Sequence, residues 1–151
     1  FLGASILFHM FGARLAFVGV ACAGLAAAAA GLTDWSTLGE ELLIGAGTAI
    51  AVSGLALKAV ERWLPPHVFV YIFVAAFAAA GCAALVADTA LWSIVAMPLA
   101  PRIDFTALVA VATMLAFGEA TLTGMLVALF VAYRPGWLST YDDRRYLRTL
   151  P

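Results

Sequence analysis

The chain has 151 residues, of which 65% are hydrophobic and only 11% are charged, and its formal net charge is −1. Soluble domains are closer to half apolar and a quarter charged, so this chain has too few polar residues to cover a water-facing surface. The composition argues against a soluble enzyme and a nucleic-acid-binding protein, and it predicts a single compact bundle surrounded by lipid.

Four apolar stretches approach the roughly 20 residues that a helix needs to cross the hydrocarbon core of a bilayer. They are residues 15–32, 42–57, 67–87 and 105–133. The second stretch is short but can be extended by a turn at each end. The sequence therefore predicts an all-α, multi-pass transmembrane bundle of about four spans.

Two further apolar segments are too short to span. Residues 1–11 precede Gly12, and we interpret them as a partial helix whose beginning lies before Phe1, since the chain does not start with Met. Residues 89–101 carry two prolines, which predicts a re-entrant or interfacial segment anchored by Trp92. We divide the chain into a transmembrane domain, 1–134, and a cytoplasmic tail, 135–151.

The basic residues are distributed unevenly between the two sides of this bundle. With four alternating spans, Arg102 lies on one side together with most of the acidic loop residues. The other seven basic residues share the opposite side: Arg14, Lys58, Arg62, Arg134, Arg144, Arg145 and Arg148. Cytoplasmic loops of membrane proteins carry an excess of Lys and Arg, so this distribution predicts a cytoplasmic C-terminus.

Small residues recur every four positions in the last span, at Ala112, Ala116, Ala120, Gly124 and Ala128, and Ala75, Ala79 and Ala83 repeat the spacing in the preceding span. Such stripes allow close helix packing in lipid. Cys22 and Cys82 lie in apolar stretches, and we expect both to be buried as small hydrophobic residues.

Glu119 is the acidic residue within the longest span. A charge at the bilayer centre costs about 2.5–3.5 kcal/mol on insertion scales, so a carboxyl group there needs a partner inside the protein. Helical spacing places Glu119 near Thr123, and we expect Gly118 to leave room for a neighbouring backbone. Two interpretations stay open: a role in a substrate path or in assembly, or a protonated packing residue.

Few other residues are candidates for metal binding or catalysis. His9 and Met10 are weak candidates for metal ligands, because they share no ligand-like spacing with the other Met residues. His67 follows two prolines and is predicted to start a helix. We find no nucleophile–base pair or phosphate-binding loop, so we expect no catalytic residues and no cofactor.

The tail combines aromatic residues with adjacent charges of both signs, Asp142, Asp143, Arg144 and Arg145. A solvated tail lying on the lipid surface and a docking strip for another subunit are equally compatible with this pattern.

The chain also resembles a known family. Residues 117–127, followed by 133–137 and 141–147, are similar to CbiM-like energy-coupling-factor ABC transporter permeases of the cobalt/nickel type, and most similar to a short proteobacterial branch. Residues 60–71, 2–5 and 10–12 extend the resemblance over most of the chain. It implies a substrate-capturing component in the bacterial inner membrane that works with another membrane subunit and cytoplasmic ATPases.

In the cobalt and nickel members the metal is held mainly by an N-terminal segment that begins Met-His. The printed sequence contains no such segment, so either it precedes Phe1 or this branch lacks it, and no metal ligand is carried over. We therefore keep two hypotheses: a permease component for a divalent metal ion, and an accessory subunit of a larger membrane complex that binds partner subunits and lipid.

Overall fold

The computed structural model describes residues 3–96 and 105–146. Four long helices make up the bundle: α1 (Ala4–Ala29), α2 (Leu38–Trp63), α3 (Val68–Ile94) and α4 (Phe105–Tyr133). A 3₁₀ turn (Pro135–Trp137) and a short helix α5 (Asp143–Tyr146) follow. All four long helices have the length and hydropathy of membrane spans, so the predicted all-α, multi-pass bundle is confirmed.

Two spans are longer than the sequence suggested. Helix α2 begins at Leu38, before its two glutamates, and α3 passes through Asp88 to Ile94. A helical turn with π geometry continues from Trp92 to Ala96. Residues 89–96 therefore extend the third span, instead of starting a separate re-entrant segment, while residues 97–101 lie outside the described part of the chain. Both Glu41 and Asp88 are thus within spans.

The helix ends follow from local sequence. His67 caps α3 after the two prolines, because its Nδ1 accepts the backbone N–H of Phe69 at 3.2 Å, as predicted for a helix-start residue. Gly31 ends α1 with a left-handed φ of 73°. The backbone N–H groups of Gly31 and Leu32 donate to Ala28 and Ala27, which is the Schellman arrangement.

Helix α1 is broken at Gly12, where φ is 78° and ψ is 171°. This backbone region is accessible essentially only to glycine. The chain folds back at the break, since a Cβ on Gly19 would lie 3.5 Å from Leu7, although a straight helix would separate these residues by about 18 Å. Residues 4–11 thus form a separate half-helix, as the position of Gly12 predicted, and we call it the N-terminal half-helix.

Small side chains fill the interior and large apolar ones face outward. The predicted stripe in α3 is confirmed, because Ala75, Ala79 and Ala83 are buried. In α4 the middle of the predicted stripe is buried, whereas its two ends, Ala112 and Ala128, are only partly buried. Leucine, phenylalanine and methionine side chains are exposed on the outer faces of the helices. This distribution suits a fold whose outer surface meets lipid tails, where interhelical packing depends on close backbone approach.

Helices α3 and α4 pack closely at Gly124, where an added Cβ would lie 2.9 Å from Phe77 Cβ. Among the described residues, a Cβ built on Gly118 would meet no atom within 4 Å apart from the adjoining backbone of its own helix, so the expectation of a close neighbouring backbone there is wrong. The expectation that Cys22 and Cys82 are buried is also wrong, because both are exposed on the protein surface. A cysteine side chain within a span can face the lipid tails, so it does not need to be buried inside the protein.

The first part of the tail packs against the bundle. Leu138, Tyr141 and Tyr146 are buried, and the ring of Tyr71 in α3 lies 5.0 Å, centroid to centroid, from each of the two tail tyrosines. We call Tyr71, Tyr141 and Tyr146 the tyrosine cluster. The guanidinium of Arg145 forms a salt bridge with Glu61 at 3.1 Å, which ties α5 to the end of α2.

Candidate functional site

A cavity of about 290 Å³ lies between the helices and is lined by three carboxyl groups, those of Glu41, Asp88 and Glu119, together with Ser5. Apolar side chains form the rest of its wall. A second cavity of about 370 Å³ shares Glu41 and Asp88 with the first and includes Glu40. An acid-lined space therefore extends from the start of α2 to the middle of α4.

Each carboxyl group comes from a different helix. Glu41 opens a π-helical turn (Glu41–Ala46) in α2, a geometry that is often found at functional sites. Asp88 lies on α3 and Glu119 at the midpoint of α4. Glu41 and Asp88 are partly buried, and Glu119 is 4% exposed. The cavity thus becomes more enclosed toward Glu119.

Glu119 is bound by the start of the N-terminal half-helix. Its Oε2 accepts the backbone N–H of Gly3 at 2.9 Å, while its Oε1 accepts the N–H groups of Gly3 at 3.1 Å and Ser5 at 3.4 Å. The first N–H groups of a helix have no partner within the helix and carry partial positive charge, so a carboxyl group stabilises them. Neither oxygen of Glu119 donates in these contacts.

Three buried hydroxyl side chains lie near this contact, those of Ser5, Ser53 and Thr123. Ser53 of α2 donates to the hydroxyl of Ser5 at 3.3 Å, and both serines are fully buried. Thr123, one turn after Glu119, is 1% exposed, and its hydroxyl has no hydrogen-bond partner among the described residues. The predicted set of Glu119, Gly118 and Thr123 is therefore split: Glu119 lines the cavity, Thr123 is buried beside it, and Gly118 does not line it.

At its other end, the half-helix is bound by the tail. The backbone N–H of Ser139 donates to the carbonyl of Met10 at 3.2 Å, and that of Thr140 donates to the carbonyl of His9 at 3.4 Å. The hydroxyl of Thr140 lies 2.6 Å from the Tyr71 hydroxyl and 3.0 Å from Nδ1 of His9. We call the pair Ser139 and Thr140 the latch.

The predicted metal candidates do not form a site. His9 is 1% exposed and its Nδ1 faces Thr140, while Met10 is only partly buried. In the described residues, no three His, Cys, Asp or Glu side chains lie close enough together to hold a metal ion. The acidic cavity is therefore lined by dispersed carboxyl groups, not by a preassembled coordination sphere.

The tail residues predicted to dock a partner have several roles. The backbone carbonyl and carboxyl group of Asp142 accept backbone N–H groups of α5, and Arg145 is occupied by Glu61. Asp143 and Arg144 are exposed. Docking by this strip stays a prediction, as does the domain boundary at residue 134.

Sequence analysis missed Glu41, Asp88 and Ser5 as cavity residues. It placed both acidic residues just outside the spans, where charge ordinarily ends a hydrophobic stretch. The positions of Asp88 and Leu91, three residues apart on one helix face, could have indicated that the helix continues.

The four spans and the cavity between them define a multi-pass membrane protein with carboxyl groups inside the bundle. The sequence matches the family described as the cobalt uptake substrate-specific transmembrane region, CbiM, over residues 1–137. The chain belongs to this family, which confirms the predicted resemblance. No curated protein and no solved structure matches the chain.

Proposed function

We propose that the chain is the substrate-binding membrane component of a divalent metal ion transporter, and that the cation enters the cavity lined by Glu41, Asp88 and Glu119. Membership of the cobalt uptake family supports transport of a metal ion. The observation that carries the proposal is the convergence of carboxyl groups from three spans on one cavity of about 290 Å³.

The chemistry of the cavity suits a partly hydrated cation. Carboxylate oxygens bind hard divalent ions and also accept hydrogen bonds from metal-bound water. Ionisable residues within spans are rare and mark ion pathways when they face the bundle interior. Since the three carboxyl groups are dispersed along the wall, they act one after another on an ion that keeps part of its water shell.

We also propose that the chain binds partner subunits and that its C-terminus lies in the cytoplasm. In energy-coupling-factor transporters, which the chain resembles, a substrate-capturing subunit contacts a second membrane subunit and cytoplasmic ATPases. Asp143 and Arg144, both exposed in the tail, are available for such contacts. The basic residues at the same end of the bundle support a cytoplasmic C-terminus in a bacterial inner membrane.

The test is chemical protection of the carboxyl groups in the full chain in lipid nanodiscs. A water-soluble carbodiimide with a small amine should modify Glu41 and Asp88, and mass spectrometry of peptides gives the rate at each residue. We expect Co²⁺ to slow modification of both residues at least about fivefold. Asp34 is the matched control, because it is an exposed loop carboxylate outside both cavities.

Two results would overturn the proposal. Unchanged rates at Glu41 and Asp88 in the presence of Co²⁺ would exclude cation entry into the cavity. Equal protection of Asp34 would mean that Co²⁺ only binds surface carboxylates. Either result would favour the accessory-subunit hypothesis.

A further inference from the structure

The N-terminal half-helix is held at its two ends by different parts of the chain. Glu119 of α4 accepts the backbone N–H groups of Gly3 and Ser5 at the start of the half-helix. The latch binds the carbonyls of His9 and Met10 at its end. A helix of eight residues is about 12 Å long, so this element connects the cavity directly to the tail.

The contacts at the latch end replace hydrogen bonds that the helix itself lacks. Because the helix breaks at Gly12, the carbonyls of its last turn lose their ordinary donors. In a membrane-embedded bundle, such groups need partners from within the protein. The His9 carbonyl accepts from the Thr140 hydroxyl at 3.2 Å and from the Ser139 hydroxyl at 3.4 Å, in addition to the Thr140 backbone N–H.

The half-helix is also suited to move as one body. Four of its side chains, those of Ala4, Ser5, Phe8 and His9, are buried against neighbouring helices, so it is a packed element and not a loose strand. Its covalent connection to the rest of α1 is Gly12, where a φ of 78° interrupts the helix. Interior helices with two discrete positions can transmit movement between distant sites.

We propose that the N-terminal half-helix couples the contents of the cavity to the attachment of the cytoplasmic tail. When the half-helix leaves Glu119, both carboxyl oxygens become free to bind a cation, and the same movement withdraws the carbonyls of His9 and Met10 from the latch. Coupling of this kind is reciprocal, so release of the tail also frees Glu119. The role of the cation rests on the proposed function, whereas the mechanical link does not.

The link is tested by cysteine labelling of the full chain in nanodiscs, in a Cys22→Ser, Cys82→Ser background. Leu138 is 2% exposed beside the latch, so Leu138→Cys should react with a membrane-impermeant maleimide only when the tail detaches. Glu119→Ala acts at the distant end of the half-helix, and we expect it to raise the labelling rate about tenfold. Thr140→Val, which removes the latch hydroxyl, should have a similar effect, and Thr140→Ser should restore the parent rate.

Two controls separate coupling from general unfolding. Asp34→Asn changes an exposed loop carboxylate outside both cavities, so it should leave the Leu138→Cys rate unchanged. Leu38→Cys, 7% exposed at the start of α2, reports opening at the other end of the bundle and should stay unreactive in the Glu119→Ala protein. A parent-like Leu138→Cys rate in Glu119→Ala would overturn the proposal, as would equal acceleration at Leu38→Cys.

Added Co²⁺ distinguishes this inference from the proposed function. We expect Co²⁺ to accelerate labelling of Leu138→Cys, and we expect Asp88→Asn to abolish that acceleration. If Glu119→Ala releases the tail while Co²⁺ has no effect, the mechanical coupling stands and the cation proposal fails.

Discussion

Glu119 is a buried carboxyl group that both holds the N-terminal half-helix and lines the cavity. The sequence left open whether this residue has a role in a substrate path or in assembly, or is a packing residue. The structure shows a packing contact and a place in the cavity wall, and the role in a substrate path stays a prediction. Glu119 accepts backbone N–H groups from the half-helix and also lines the acidic cavity. An ion that binds Glu119 must therefore compete with the amides of Gly3 and Ser5.

The first prediction concerns the hydrogen bonds of this residue. Glu119→Gln keeps one acceptor oxygen but directs an NH₂ group toward a backbone donor, so we expect it to lower the free energy of unfolding by about 1 kcal/mol. Glu119→Ala removes both acceptors, and we expect a loss of about 2–3 kcal/mol, the scale for orphaned buried donors. Unfolding in mixed detergent micelles measures both values.

Glu40→Gln is the control, because it makes the same chemical change at a carboxyl group that is exposed on the protein surface. If Glu119→Gln were as stable as the parent protein, the two-oxygen contact with the half-helix would be refuted.

At the scale of the helices, glycine has two distinct uses. Gly12 provides a backbone conformation that breaks α1, whereas Gly124 provides space for the neighbouring helix. Both residues stand in apolar stretches where a sequence pattern alone does not separate the two uses.

The second prediction compares two glycines of the same helix. Gly124→Ala places a Cβ 2.9 Å from Phe77 Cβ, so α3 and α4 must move apart, and we expect a loss of about 1–3 kcal/mol, as for other overpacked interiors. Gly118→Ala adds a methyl group where no atom lies within 4 Å, and it should cause no loss. Thermal unfolding of both variants measures the difference, and equal stabilities would contradict the packing described for α3 and α4.

The third prediction concerns the pH dependence of the tail. Burial raises the pKa of Tyr146, with Glu61 adding to the effect, and burial also raises the pKa of Tyr141, with Asp143 adding to it. The neutral phenols are thus favoured in the folded state. Their contribution to tail attachment is present below the ordinary tyrosine pKa of about 10 and is lost as the pH rises from there through the higher folded values.

Absorbance of tyrosinate tests this prediction in the parent protein and in Tyr146→Phe. The difference between the two titrations isolates Tyr146, and its midpoint should lie above that of the same difference measured in denaturant. A midpoint at or below the denatured value would contradict burial of this side chain against Tyr71.

Much of the helical architecture could be predicted from the sequence, because hydrophobic length and small-residue spacing determine spans and their packing faces. The apolar stretches identified the four spans, and Gly12 identified the break in α1. The cavity could not be predicted in the same way. Glu41 and Asp88 resemble residues that end a span, although in the structure both lie within helices, Leu38–Trp63 and Val68–Ile94.

The contact between the latch and the half-helix was also beyond sequence analysis. Its backbone hydrogen bonds join residues about 130 positions apart, such as His9 and Thr140, through groups that nearly every residue possesses. Hydrogen bonds of this kind leave no pattern in side-chain chemistry. The charged residues of the tail do form a pattern, and we interpreted them as a possible docking strip. One of them, Arg145, is paired with Glu61 within the chain.

At the scale of the whole molecule, orientation gives the fourth prediction. A fluorescent reporter fused after Pro151 should be active in the cytoplasm, because the basic residues lie at that end of the bundle. A phosphatase inserted after the exposed Ser36, in the loop between α1 and α2, should be active on the opposite side. If both reporters indicated the same side, the four-span arrangement would be refuted.

The central claim is that the acid-lined cavity carries a divalent cation, and uptake of Co²⁺ by cells that express the full chain with its native partner subunits tests it most directly. We expect Asp88→Asn to lower the initial uptake rate at least about tenfold without changing the amount of protein in the membrane, whereas Asp34→Asn, outside both cavities, should match the parent. Parent-like uptake by a Glu41→Gln, Asp88→Asn double variant would contradict the account.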